Sequence, residues 1–328
     1  MNIAKSSASL LKLATQQKAF LAILALLLLM AFSKSHFYSM FNLMDMLNST
    51  SILLILAFGV TLTVVSGACD LSIGGILVVS GIVAIKLMEG TLWSAIPALP
   101  MWMSILLALL LGALIGAING FLVVQQKTEP FIITLGMGML LTGVAQQLTD
   151  ARPVPSSNPD FMMIGNGDFY GVPYLVIIML ACFALAHWVM RYTQYGRNLY
   201  AIGGDYDVAL YSGIKVVRTK WLAFVFSGTA AALAGVLLSS KLNTGSSIYG
   251  EATALIVNCG VVVGGTSFAG GIGGIPQSAL GLLVFGILDN AMNMLGITSY
   301  YQILLKGVVI VGIIWMDCFY RKRKRELV

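Results

Sequence analysis

Three ionisable side chains stand where the chain is otherwise apolar: Asp70, Asp289 and Lys306. A charge in hydrocarbon is costly, so each marks a functional position unless a partner satisfies it. Asp70 lies in a glycine-rich interruption, two residues before Ser72. Its carboxylate has two readings, a cap for the exposed N–H groups of a helix starting near Ser72 or a direct contact to a solute. Asp289, Asn290 and Asn293 fall close together on one side of a helix. Such a face can hydrogen-bond a hydroxylated solute or join helices to one another. Asn119, Thr134, Asn258 and Gln302 are further polar residues in apolar runs, and Lys306 is long enough to snorkel to a surface.

Covalent and metal chemistry find little support. His36 and His187 have no nucleophile and carboxylate placed with them. Cys69, Cys182, Cys259 and Cys318 are far apart, in or beside apolar runs, which suits packing better than metal binding. Gly260, Gly264, Gly265 and Thr266 approach the spacing of a phosphate-binding loop but lack its lysine. The expectation is a chain that is not an enzyme, needs no cofactor or metal, and does not hydrolyse ATP itself.

The elements that carry these residues are set by composition. With 328 residues, 58% hydrophobic and 10% charged, and a mean hydropathy of +0.91, the chain falls in the polytopic membrane class. No polar stretch is long enough to bury its own core. The reading is an all-α single transmembrane domain over 1–328, with ten apolar runs at 19–33, 50–66, 73–88, 101–124, 131–148, 172–190, 220–239, 252–266, 276–295 and 300–318. The first reads as an uncleaved span rather than a signal peptide, because the chain continues hydrophobic to its end.

The net charge of +6 sits at the ends of apolar runs. That pattern suits membrane orientation, not nucleic acid. Alternating spans gather Lys5, Lys12, Lys18, Lys127, Arg191, Arg197, Lys215, Arg218, Lys220 and the basic cluster 321–325 on one face. Asp45, Glu89, Asp150, Asp160, Asp168 and Glu251 fall on the other. Both termini are therefore expected in the cytoplasm.

Two glycine interruptions, 66–75 and 264–274, lie between apolar segments that are short for a span. They read as broken helices around a solute path, where protein or water satisfies irregular backbone, or as tight turns. Five spans before residue 149 and five after it would make any internal repeat an inverted one, two five-helix halves. Gly112, Gly116 and Gly120, four apart, allow another backbone to approach closely.

The longest polar island is 191–220, with seven charged residues. Gly203 and Gly204 break a strand-like run, Asp205 suits an N-cap, Asp207 the first turn and Gly213 the exit. A capped helix of about two turns between basic flanks makes a docking handle. An ordinary basic loop is the alternative.

Several stretches together resemble the permease subunits of bacterial ATP-driven monosaccharide importers of the ribose, galactose and arabinose type. Ser66-Gly67-Ala68-Cys69-Asp70-Leu71-Ser72-Ile73-Gly74 is similar to that family's S-G-G-I-D-L-S-V-G, and Pro130-Phe131-Ile132-Ile133-Thr134-Leu135-Gly136 to its P-F-I-x-T-L-G. Ala117-Ile118-Asn119-Gly120, Tyr195-Gly196-Arg197, Ala201-Ile202-Gly203-Gly204 and the run 264–274 match further motifs in order. Asn290, Asn293, Leu295, Gly296, Gln302, Lys306 and Gly307 fall where the family's last two helices carry them.

The resemblance implies an inner-membrane protein that pairs with a second permease subunit, identical or different. It also implies an ATP-binding cassette ATPase beneath and a periplasmic or lipoprotein sugar-binding protein above. The island would be the ATPase-coupling loop, with Gly203, Gly204, Asp205, Asp207, Ala209 and Gly213 as its coupling residues. A neutral monosaccharide would pass Ser66, Gly67, Asp70, Ser72, Thr134, Gly264, Gly265, Asn290 and Asn293. Asp205 stands where the family usually has Asn, Val208 replaces the first of a paired Ala, and Ala68-Cys69 replaces Gly-Ile. Nucleosides, a furanone-type autoinducer or branched-chain amino acids are alternative cargoes. The amino acid is least favoured, for want of paired intramembrane charges. An autonomous ion-coupled carrier is the alternative mechanism.

Overall fold

The computed structural model describes residues 37–92, 97–309 and 311–312. The apolar run 19–33, the basic cluster 321–325 and the end of the run 300–318 lie outside these residues, as do Lys5, Lys12, Lys18, His36 and Cys318. Among the described residues, six helices are long and apolar enough to cross a membrane. They are α1 (Met40–Val65), α3 (Met101–Gly120, continued by a π-helical turn at Phe121–Gln125), α4 (Pro130–Thr149), α6 (Tyr174–Tyr192), α9 (Val216–Leu242) and α11 (Ile275–Met294). Two apolar helices are shorter, α2 (Ile73–Met88) and α10 (Gly250–Val263). Three further helices are shorter still, α5 (Pro159–Asn166), α7 (Gln194–Gly204) and α8 (Tyr206–Tyr211). Residues 299–309 are also helical.

Each start and stop has a local cause. Ser39 caps α1, its hydroxyl accepting from Asn42 N–H at 3.2 Å. This start lies ten residues ahead of the expected run 50–66, because Asn42, Asp45 and Asn48 interrupt the hydropathy without breaking the helix. Pro130 opens α4, where its missing N–H is no loss. Asn158 caps α5 through two N–H groups, and Thr193 caps α7 through Gly196 N–H at 3.2 Å. Two small antiparallel ribbons complete the chain, β1 (Val154–Pro155) with β4 (Thr244–Gly245), and β2 (Asp168–Phe169) with β3 (Val172–Pro173).

The helices pack around α1 and α9. The apolar window of α1 is 83% buried against 22% for α4 and α6, so α1 is central and the other two form an outer face. α3 crosses α9 through small residues. A Cβ on Gly112 would collide with the Gly228 carbonyl, and one on Gly116 with the Phe224 carbonyl. Trp221 closes this seam by donating its indole N–H to the Ala117 carbonyl at 3.0 Å.

The body has two unlike ends. At one, Glu89 after α2 accepts from the Ser157 N–H at 2.7 Å and the Ser157 hydroxyl at 2.6 Å, and α5 packs against Ser240 and Lys241 at the end of α9. At the other lie the close of α1, both glycine interruptions and the island 191–220. α2, at 16 residues, is about 24 Å long and falls short of a bilayer core of roughly 30 Å. Its N-terminus therefore starts inside the body. α10 starts inside from the opposite direction, and the two meet reciprocally: a Cβ on Gly74 would meet the Gly250 carbonyl, and one on Gly250 the Gly74 carbonyl.

Candidate functional site

Asp70 is fully buried at the N-terminal end of α2. One carboxylate oxygen accepts from Ser72 N–H at 3.0 Å and from the Ser72 hydroxyl at 2.6 Å, and the other from the Ser227 hydroxyl at 2.7 Å. Asn119 of α3 donates to Ser72 Oγ at 2.7 Å, and Asn258 of α10 donates to the Asp70 carbonyl at 3.0 Å. One residue thus ties α2, α3, α9 and α10 together. Three donors and the positive end of α2 face a carboxylate that has no cation partner among the described ion pairs. Ser72 is the N-cap residue of α2 and no side chain caps the first free N–H groups of that helix, so Asp70 holds the cap residue rather than capping the helix itself, and its carboxylate oxygens are enclosed rather than presented to a solute.

The other polar residues of the apolar runs divide by place. Ser66 bonds back to the Thr63 carbonyl at 2.8 Å and Thr134 to the Pro130 carbonyl at 2.7 Å, both within their own segments. Thr134 nevertheless lies one turn before Gly138, which packs on Leu71 beside the Asp70 cluster. Asn290 and Asn293 lie at the far end of α11. Asn290 exchanges two bonds with Asn42, at 3.0 and 2.9 Å, and Asn293 accepts from Gln302 at 2.8 Å. Lys306 does not snorkel: it pairs with Asp289 at 2.7 Å. The argument against a zwitterionic cargo from missing paired charges is thereby corrected, although these two charges already satisfy each other.

The island folds differently from expectation in its first part. Residues 194–204 are the helix α7, not a strand-like run, and Gly203 and Gly204 form its last turn. Thr193 supplies the cap that makes a helix preferable there. α8 follows directly. Asp205 is its N-cap and accepts from Val208 N–H at 3.0 Å, Asp207 sits in the first turn, and Gly213 leaves with a φ of 79°. Ala209 is buried with Ile202 and Val216, which anchors the helix from below. Tyr206, Val208, Leu210 and Tyr211 are exposed around it.

The second glycine interruption reaches the island and the first interruption together. Gly264 packs against Gln277 where α10 meets α11, and Gly265 follows it into the turn. Gly271 N–H donates to the Val65 carbonyl at 2.9 Å, and Gly67 lies beside Ala269. A Cβ on Gly203 would strike both the Val65 carbonyl and Gly271 N, whereas one on Gly204 would meet nothing within 4 Å. Tyr200 of α7 donates its hydroxyl to the Gly273 carbonyl at 2.8 Å. Burial pushes that hydroxyl up, with the Arg191 charge pulling the other way, so it stays protonated and able to donate at neutral pH. Ser227 and Tyr200 escaped the sequence reading, since each acts through a contact distant in the chain, and Gly270 and Gly271 were marked only as part of the run 264–274.

Comparison with known proteins follows from this arrangement. Residues 42–314 match the family model described as "Branched-chain amino acid transport system / permease component". The chain belongs to this permease family. The permease is 35% identical over 313 residues to the ribose import permease protein RbsC of Haemophilus influenzae, covering 94% of this chain and 95% of that protein. The L-arabinose transport system permease protein AraH of Escherichia coli is 30% identical over 274 residues, 83% of this chain and 80% of that one. The D-allose transport system permease protein AlsC of the same species is 31% identical over 285 residues, 87% and 86%. No solved structure matches the permease. The permease is a helical, multi-pass membrane protein, and its relatives are transport subunits rather than enzymes.

Proposed function

We propose that the permease is the membrane-spanning subunit of an ATP-binding cassette importer that carries a neutral monosaccharide across the inner membrane. The carrying observation is that relatives named for three different monosaccharides each match more than four-fifths of the chain. Branched-chain amino acids appear in the family's description. A binding protein would deliver the sugar, a second permease subunit would complete the path, and a separate ATPase would dock on the island.

Ten spans in two inverted halves, with both termini cytoplasmic, make the architecture of this reading. Support comes from the pairing of a long with a short helix in each half. α1 and α2 have 26 and 16 residues, α9 and α10 have 27 and 14, and the short members meet reciprocally at Gly74 and Gly250. In this scheme the counterpart of 66–75 is the segment 243–250, not the glycine run 264–274. The solute path is assigned to the neighbourhood of Ser66, Gly67, Asp70, Ser72 and Thr134. Gly264 and Gly265 belong with the α10–α11 turn, and Asn290 and Asn293 join helices.

The test is uptake of labelled ribose, arabinose and allose into vesicles holding the permease, its ATPase and its binding protein. ATP-dependent accumulation of at least one sugar is expected. Accumulation by the permease alone on an ion gradient, or none with ATP, would sink the reading.

A further inference from the structure

The turn 265–274 was expected on the solute's path, but its contacts lead to the island. Four features make it a linkage. First, it is closed on itself: Ser267 N–H donates to the Ile272 carbonyl and Gly270 N–H to the Ser267 carbonyl, each at 3.0 Å, so it moves as one piece. Second, it leads directly into α11, with Gly274 as the N-cap. Third, Gly271 N–H holds the Val65 carbonyl at the close of α1, five residues before the buried Asp70. Fourth, Tyr200 and Gly203, one turn apart on α7, grip the turn from the island side, one by a hydrogen bond and the other by backbone contact. Gly270 and Gly271, with φ of 88° and 71°, adopt the left-handed conformation that brings both amides to this junction.

We propose that Tyr200 is the positioning residue that passes displacement of the island to the turn 265–274, and through it to α11 and the close of α1. The inference rests on the ATP-driven reading above and names the contact through which that drive would act. α7 has a second tyrosine anchor, Tyr195, whose hydroxyl donates to the Thr219 carbonyl of α9 at 3.2 Å. It holds α7 to the first turn of α9 rather than to the turn 265–274, which makes it the natural control. A hydrogen bond from Tyr200 transmits both push and pull, whereas the close approach of Gly203 transmits only a push.

The experiment uses the complete importer in vesicles and measures solute moved per ATP hydrolysed for the wild type, Tyr200→Phe and Tyr195→Phe. Tyr200→Phe keeps the ring and removes one neutral hydrogen bond. The expected result is hydrolysis retained and solute per ATP reduced about fivefold, with Tyr195→Phe near the wild-type ratio. An unchanged ratio in Tyr200→Phe, or an equal fall in Tyr195→Phe, overturns the inference and leaves the ATP-driven reading standing. A wild-type complex that hydrolyses ATP without moving solute overturns both. Should Tyr200→Phe fail to insert, hydrogen exchange of the wild-type complex decides. Nucleotide is expected to change exchange in 265–274 together with 205–212, and a change confined to 205–212 overturns the inference.

Discussion

Gly203 and Gly204 are neighbours with opposite demands. The first has the Val65 carbonyl and Gly271 N where a side chain would go, while the second faces open space. Since backbone atoms cannot swing aside, Gly203→Ala should lower the stability of the purified permease by about 1–3 kcal/mol, read as a fall in thermal midpoint. Gly204→Ala should leave the midpoint close to wild type. A loss of ATP-driven uptake in Gly204→Ala, with normal stability, would then report contact with a partner. Equal destabilisation by the two substitutions would contradict the packing described. The sequence marked both glycines as one pair, because nothing local separates them. Asp70 was more legible, since a carboxylate two residues before a serine can take that serine's N–H and hydroxyl whatever surrounds it. What the sequence withheld was Ser227, 157 positions away. Asp70→Leu removes the acceptor from three donors at once, at about 1–3 kcal/mol for each one stranded. Asp70→Asn keeps one acceptor oxygen. The thermal midpoints should therefore order as wild type, Asn, Leu, and a Leu variant as stable as wild type would refute the role of Asp70 as acceptor for Ser72 and Ser227.

Among the elements, α8 was readable from its own residues because capping is local: Asp205, Asp207 and Gly213 do in the fold what their types suggest. α7 was misread because two glycines at its end look like a break, while the Thr193 cap that favours helix stands ten residues earlier. The segment 149–171 is a polar stretch of the sequence, and nothing local in it shows its anchor to α2. Glu89 supplies that anchor. The Ser157 hydroxyl and then its N–H hold the Glu89 carboxyl below the usual carboxylate range, against a smaller opposing push from burial. A pKa lowered by folding means that the stabilisation is present above the unfolded value of about 4.3 and is lost as pH falls through the folded one. Limited proteolysis within 150–158 should thus accelerate below roughly pH 4. Glu89→Gln, which lacks the charge, should show faster cleavage at neutral pH and little further change on acidification. Acid sensitivity as steep in Glu89→Gln as in wild type would remove Glu89 from this role.

At the scale of the whole molecule, the hydrophobic effect that builds a soluble core does not hold these helices together, because lipid is as apolar as the helix faces. Close packing and interhelical hydrogen bonds must do it instead. The polar ties include the Asp70 cluster, Asn42 with Asn290, Thr61 with Ser278, Trp221 with Ala117, and Asp289 with Lys306. Between them, contact depends on small residues. The spacing of Gly112, Gly116 and Gly120 announced one half of the α3–α9 seam, but not that its partner would be Gly228, with Phe224 and Trp221 beside it. Hydropathy marked apolar runs where the six long helices of the described residues lie, whereas the order of those helices around α1 and α9 depends on shapes that meet only after folding. Gly116 is the sharpest test, since its Cα also lies against Gly228, so both backbones are already in contact. Gly116→Val should push α3 off α9, break the Trp221 to Ala117 bond, and leave membrane insertion intact because the helix only becomes more apolar. The expected signature is a full-length inserted protein whose Trp221 fluorescence shifts and whose α3–α9 cysteine cross-links are lost. Gly136→Val makes the control, as nothing lies within 4 Å of a side chain there. Retention of wild-type cross-linking in Gly116→Val would mean that the seam is not what joins the two helices, and the ties at Asp70 would have to carry the assembly alone.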